Sequence, residues 1–268
     1  EKRACELGIA SFEALDYIYC EGMVTSFQGN IQMNISRLRK SEEGEYDPAD
    51  YIPTTDKDVD QMFSEIMAYV NGVKNPYLSQ LLKKFFVEDK QFVDEFKKHS
   101  AAKSVHHGFM GGLLEHTLSV TNMCNYFAAA YPNIHKDLLI TAALFHDMGK
   151  IDELASFPRN DYTDDGQLLG HIFIGAQKLT AAIADINGFP KKLENELIHC
   201  ILAHHGKLEF GSPKVPAIME ALALHLADNA DAKIQTLTEV FKQAGDNMEW
   251  LGFNRMFESN LRQTTEGG

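Results

Sequence analysis

Apolar and polar positions change period along this chain. Residues 17–24 and 30–36 alternate roughly in polarity and are rich in β-branched and aromatic side chains, with the turn-like stretch Thr25-Ser26-Phe27-Gln28-Gly29 between them. Period-two alternation around a glycine-containing turn predicts a β-hairpin. Two strands alone are marginally stable in water. Residues 1–47 are therefore expected to be the tail of a larger β module. Residues 48–60, with Pro48, Pro53 and several acidic side chains, read as a linker.

From about Val59 the period becomes helical. Met62, Phe63, Ile66, Met67 and Val70 recur at i, i+3, i+4 spacing until Asn71-Gly72. Asn75 followed by Pro76 is an N-cap with proline at the first helical position. Further helices are predicted near residues 89–98, 112–130, 136–148, 168–186, 191–204 and 215–243, with residues 151–167 as the one sizeable loop. The expected fold class is mainly α: an all-helical domain over residues 61–268 behind a small β element.

Composition adds limits. Of 268 residues, 44% are apolar and 24% charged, an ordinary globular balance that excludes a disordered or collagen-like chain. No apolar run reaches the roughly 18 residues that a spanning helix needs, so no membrane partner is expected. The four cysteines are scattered without C-x-x-C spacing, as in a reduced, cytoplasmic protein. The formal charge is −13, which argues against a broad basic face for duplex nucleic acid. All 11 histidines lie between His99 and His225, which directs attention to one stretch of chain.

Within that stretch, His116 interrupts the apolar run around Leu113, Leu114 and Leu118. His146-Asp147 follows a helix that is nearly apolar all round. His171 opens another helix, His204-His205 closes the one carrying Ile198 and Ile201, and Asp228 sits among Leu222, Leu224 and Leu226. A single histidine on an apolar helix is more often a satisfied core residue than a ligand. His99, His135, His199 and His225 are assigned to surface or packing roles on that ground. Five helices each presenting an imidazole or carboxylate from apolar surroundings is another matter, because unpaired buried polar groups are costly. The donor set suits Mn, Fe, Co, Ni or Zn without any thiolate. It exceeds the needs of one ion and fits two sharing a carboxylate, roughly 3.5–4 Å apart, as in two-metal phosphate chemistry.

The order His116 … His146-Asp147 … Asp228 resembles the H…HD…D pattern of the HD-domain metal-dependent phosphohydrolases, with His171 and His204-His205 as in the two-metal branch. The blocks around His106-His107-Gly108-Phe109, His146-Asp147-Met148-Gly149-Lys150, Gly170-His171-Ile172 and His204-His205-Gly206-Lys207 are closer to the YhaM-type 3′–5′ exoribonucleases, in which an OB-fold precedes the HD domain. The likeness runs from about Tyr17 to Lys233. It implies that the hairpin is a partial OB-fold, with the basic run Arg37-Leu38-Arg39-Lys40 as a remnant of its groove. It implies a first ion on His116, His146, Asp147 and Asp228, and a second on Asp147, His171, His204 and His205. Asp147 and Lys150 would be catalytic, Lys150 holding a phosphate oxygen. His106 or His107 would contact substrate or stand behind a metal ligand, and Lys207 and Lys214 would clamp its backbone.

The activity implied is 3′–5′ exonuclease action on single-stranded RNA or DNA by a hydroxide that two divalent ions activate. The alternative enzyme is an HD phosphohydrolase of small or cyclic nucleotides, although the G-Y-P tripeptide of the cyclic dinucleotide branch is missing. A binding protein with a structural metal is the non-enzymatic alternative. A hairpin without further strands also invites association into a homo-oligomer.

Overall fold

The computed structural model describes residues 13–27, 30–47, 50–103 and 107–265. They form two compact units, one of residues 1–53 with 157–159, the other of 54–156 with 160–268.

In the smaller unit β1 (Ile18–Phe27) pairs antiparallel with β2 (Asn30–Lys40), with a register shift at Glu21/Gly22. Both strands run further than alternation alone marks, since Phe27, Leu38 and Arg39 remain in the ladder. Tyr17 stacks on Tyr46 at 3.9 Å, whereas Met23, Val24, Phe27 and Ile31 are exposed. The basic run departs from expectation. Arg39 binds Glu45, Lys40 binds Asp16 at 2.6 Å, and Arg37 lies 3.9 Å from Glu21. Each cation of the presumed groove remnant faces a carboxylate of its own unit.

The larger unit is helical. α1 (Val59–Gly72) starts at Asp58, whose carboxylate accepts the Asp60 and Gln61 N–H groups, and it buries Met62, Ile66 and Val70. α2 (Pro76–Lys83) is capped by Asn75 and runs into a π turn at Lys84–Glu88. α3 (Lys90–Lys98) follows, capped by Asp89. Phe85, Phe86, Phe92, Phe96 and Phe145 pack as one aromatic cluster with neighbouring centroids 5.2–5.7 Å apart. The end of the expected linker is ordered onto this unit: the Thr55 N–H donates to the Met110 carbonyl, and Thr55 Oγ1 and Lys57 hold Glu115.

α4 (Gly112–Ala130) and α5 (Lys136–Phe145) form the centre, and α5 is buried from Leu138 through Phe145. Burying one such Leu or Phe fully is worth about 1.5–3 kcal/mol, so α5 holds its C-terminal end rigidly. The expectation of one helix over 136–148 is corrected there: regular helix stops at Phe145 and a turn carries 146–149.

The expected loop 151–167 is also partly helical. α6 (Lys150–Glu153) follows the turn, and α7 (Asp164–Ala184) begins early because Thr163 Oγ1 accepts the Gly166 N–H ahead of two acidic residues. α7 breaks at Gly170, at φ 73° and ψ 154°. That conformation is open to glycine and strained for other residues. α8 (Lys191–Ala203), a 3₁₀ turn at Leu208–Phe210 and α9 (Met219–Ala244) complete the bundle, followed by β3 (Phe253–Asn254) and β4 (Ser259–Asn260). Among the described residues no helix is long and apolar enough to cross a membrane.

Candidate metal centre

The ends and breaks of these helices converge. His116 projects from α4, His146 and Asp147 from the turn after α5, His171 from just past the Gly170 break, His204 and His205 from the end of α8, and Asp228 from α9. Asp147, almost fully buried, is the hub. Its Oδ2 faces His116 Nε2 at 3.3 Å and His146 Nε2 at 3.5 Å, and Asp228 Oδ1 lies 3.3 Å from the same His116 nitrogen. Its Oδ1 faces His171 Nε2 at 3.5 Å and His204 Nε2 at 3.6 Å. The free ring nitrogens of His171, His204 and His205 lie within 4.8 Å of one another, as do the donor atoms of His116, His146 and Asp228. Helix ends at Ala203, which lets the neighbouring His204 and His205 turn to one point.

Each imidazole is held from behind. His146 Nδ1 donates to the Ala143 carbonyl at 2.8 Å, His204 Nδ1 to Ile201 at 2.6 Å, and His205 Nδ1 to Phe210 at 2.9 Å. A carbonyl only accepts, so these contacts place the proton on Nδ1 and leave Nε2 with its lone pair facing inward. Carboxylates do the same for the other two. Asp231 Oδ2 takes His116 Nδ1 at 2.7 Å, and Glu153 Oε1 takes both His171 Nδ1 and the His171 N–H at 3.0 Å.

Lone pairs and carboxylate oxygens therefore point at one another, and this is the test of whether a cation fits. His116 and His146 Nε2 stand 3.1 Å apart. His171 Nε2, His204 Nε2 and Asp147 Oδ1 are buried without a hydrogen-bond partner, while Lys150 Nζ stands 2.7 Å from Asp147 Oδ2. Burial would push the His116 pKa down, yet Asp147, Asp228 and Asp231 hold it well above the ordinary histidine value, so a proton on His116 Nε2 balances these carboxylates unless a cation takes its place. Burial pushes His146 down to about 4, and burial together with the neighbouring His204 and His171 rings pushes His205 down to about 4. Burial raises the Asp147 pKa, but Lys150 and the surrounding imidazoles more than reverse it, keeping Asp147 ionised. Such clusters can bind a divalent metal.

A cavity of about 610 Å³ opens onto this cluster, lined in part by His116, Lys150, His171, His205 and Asp228. The stretch of chain that carries this cluster is also the one a known family matches. Residues 113–233 match the HD domain family. Two curated relatives are each named 3′-5′ exoribonuclease YhaM: that of Bacillus subtilis (strain 168) is 34% identical over 83% of this chain and 70% of its own length. That of Bacillus velezensis is 35% identical over 80% of this chain and 67% of its own length. The chain belongs to this YhaM-type family of HD-domain proteins. No solved structure gives a significant match.

The HD domain thus assembles all seven residues expected as ligands. The expected substrate contacts fare differently. His106 lies outside the described residues. His107 is 2% exposed and its Nε2 lies 3.0 Å from Asp231 Oδ2, behind His116, so its imidazole does not reach the cavity. Lys207 lies over the Phe210 ring and 3.4 Å from Glu209, and neither Lys207 nor Lys214 lines the cavity. Sequence reasoning missed Asp231, which also takes the Ser119 hydroxyl, and Glu153. The i, i+3 spacing of Asp228 and Asp231 on one helix was the available signal for Asp231. His225, set aside as background, lines the cavity and holds the His204 carbonyl at 2.9 Å.

Proposed function

We infer that this protein is a metal-dependent 3′–5′ exonuclease acting on single-stranded RNA. The observation that carries the reading is Asp147. Its two oxygens face two separate sets of imidazoles at the floor of an open cavity, the arrangement a carboxylate needs to bridge two divalent ions. His116, His146 and Asp228 would hold one ion; His171, His204 and His205 the other; Asp147 both. Bound there, divalent ions supply Lewis acidity toward a phosphate and a nucleophile at neutral pH.

The chain's own part is positioning. The Nδ1 partners fix each imidazole before substrate arrives, which removes the reorganisation that a loose site would need. Lys150 lines the cavity and stays charged because Asp147 outweighs the effect of burial. It is the cation placed to hold a phosphate oxygen. The hairpin is read as the tail of an OB-fold that guides the strand, and the free cysteines Cys20, Cys124 and Cys200 support a reducing, cytoplasmic setting.

The test is a 5′-labelled single-stranded RNA incubated with the protein and Mn²⁺. A ladder shortening from the 3′ end, with nucleoside monophosphates released, is expected. An intact strand overturns the reading, and release from mononucleotides or cyclic nucleotides without any ladder would favour small-nucleotide hydrolysis.

A further inference from the structure

We propose that the cavity carries a nucleobase subsite built from the rings of Phe210 and Tyr162, which stack the terminal base of the strand being cut. The proposal rests on the exonuclease reading and names the part of the substrate that the cavity wall recognises. Both residues line the cavity whose floor is the imidazole cluster. Phe210 is 55% exposed and Tyr162 40% exposed. Among the described residues no other aromatic ring covers either.

Two exposed aromatic rings on the wall of a catalytic cavity need a reason, since leaving apolar faces in water forgoes their burial. The backbone under both is built to keep them there. Tyr162 is pinned by its bridge to Leu154 and by the Ala155 N–H to Asp161 carbonyl bond at 2.8 Å. Phe210 ends a 3₁₀ turn closed at Gly211, and its carbonyl orients His205. The ring of Phe210 is thus tied through one residue's backbone to a proposed ligand, so a base resting on it is indexed to the metal centre. Lys207 Nζ, 5.2 Å from the Phe210 centroid, adds positive charge over the ring. A further cavity residue, Asn229, has a side-chain amide without a hydrogen-bond partner among the described residues and can take a polar edge of the nucleotide. Aromatic faces accept any base, which suits an enzyme that must degrade a strand regardless of sequence.

The experiment uses the full chain with Mn²⁺ and two 5′-labelled RNAs, one ordinary and one ending in an abasic 3′ nucleotide. Stacking losses of this kind are on the order of tenfold. Phe210→Ala and Tyr162→Ala should each raise KM on ordinary RNA by about that factor and leave the abasic substrate unaffected, while Phe210→Trp keeps wild-type behaviour. Metal content should be unchanged in all three. An unchanged KM on ordinary RNA, or an equal loss on both substrates, overturns the subsite. A 3′-terminal 2-aminopurine gives a readout without turnover: its fluorescence should be quenched by the wild type and not by Phe210→Ala. A wild type that cuts neither RNA would sink the exonuclease reading, and quenching would still decide the subsite.

Discussion

The two sides of Asp147 use the same donor types yet differ in what stands behind them. On the Oδ2 side, His116 is backed by the buried Asp231, itself held by His107 and Ser119, and Asp228 adds a second carboxylate. On the Oδ1 side the three histidines share the site with no carboxylate donor other than Asp147; Glu153 stands behind His171, and main-chain carbonyls stand behind His204 and His205. The difference teaches that charge divides the site: if each side takes a cation, the Oδ2 side would hold it tightly and the Oδ1 side closer to exchange.

The largest effect should come from removing the shared group. Asp147→Asn is expected to reduce hydrolysis of labelled RNA to background and to strip metal from both sides, read by elemental analysis on protein whose helical circular dichroism is intact. Wild-type metal content in this variant would break the bridging assignment. Next, Asp228→Asn should cost more than His205→Ala, because it removes the only unshared carboxylate, whereas His171 and His204 remain after loss of His205. Equal losses would mean that the sides do not differ in charge-driven affinity.

Changes behind the ligands should be milder. Asp231→Asn is expected to weaken metal binding by about 10–100-fold, the usual cost of losing an outer partner of a metal-bound histidine, and Glu153→Gln to act similarly on the other side. Titration calorimetry of each variant would show which binding step moves, and a shift of the same step in both would merge the two sides into one. The smallest contrast is kinetic. Dilute chelator should release one equivalent ahead of the other, and in Glu153→Gln the early phase should become faster while the late phase is unchanged.

Much of this was legible beforehand. The helices around Ile66, Leu114, Leu144 and Leu224 follow apolar spacing, and the alternation around Met23 and Met33 marks the hairpin. The candidate ligands were legible because His116, His146, Asp147, His204 and Asp228 are polar residues where the pattern demands apolar ones. Glu153 was not, because nothing local separates a carboxylate that backs a histidine from one that faces water, and Asp231 offered only its i, i+3 spacing from Asp228. His107 left two readings open, a substrate contact or a place behind a ligand, and only folding puts it against Asp231 behind His116.

By itself, the order of residues determined the helical class, the hairpin and the inventory of candidate metal-binding side chains, since these follow from periodicity and from the cost of burying polar groups unpaired. Only the tertiary structure decided which oxygen of Asp147 faces which imidazoles, which nitrogen of each ring is free, and which aromatic rings stand at the cavity. Those are set by where helix ends meet. The meeting depends on packing between segments far apart in the chain, with α5 stopping at Phe145, α7 breaking at Gly170 and α8 stopping at Ala203.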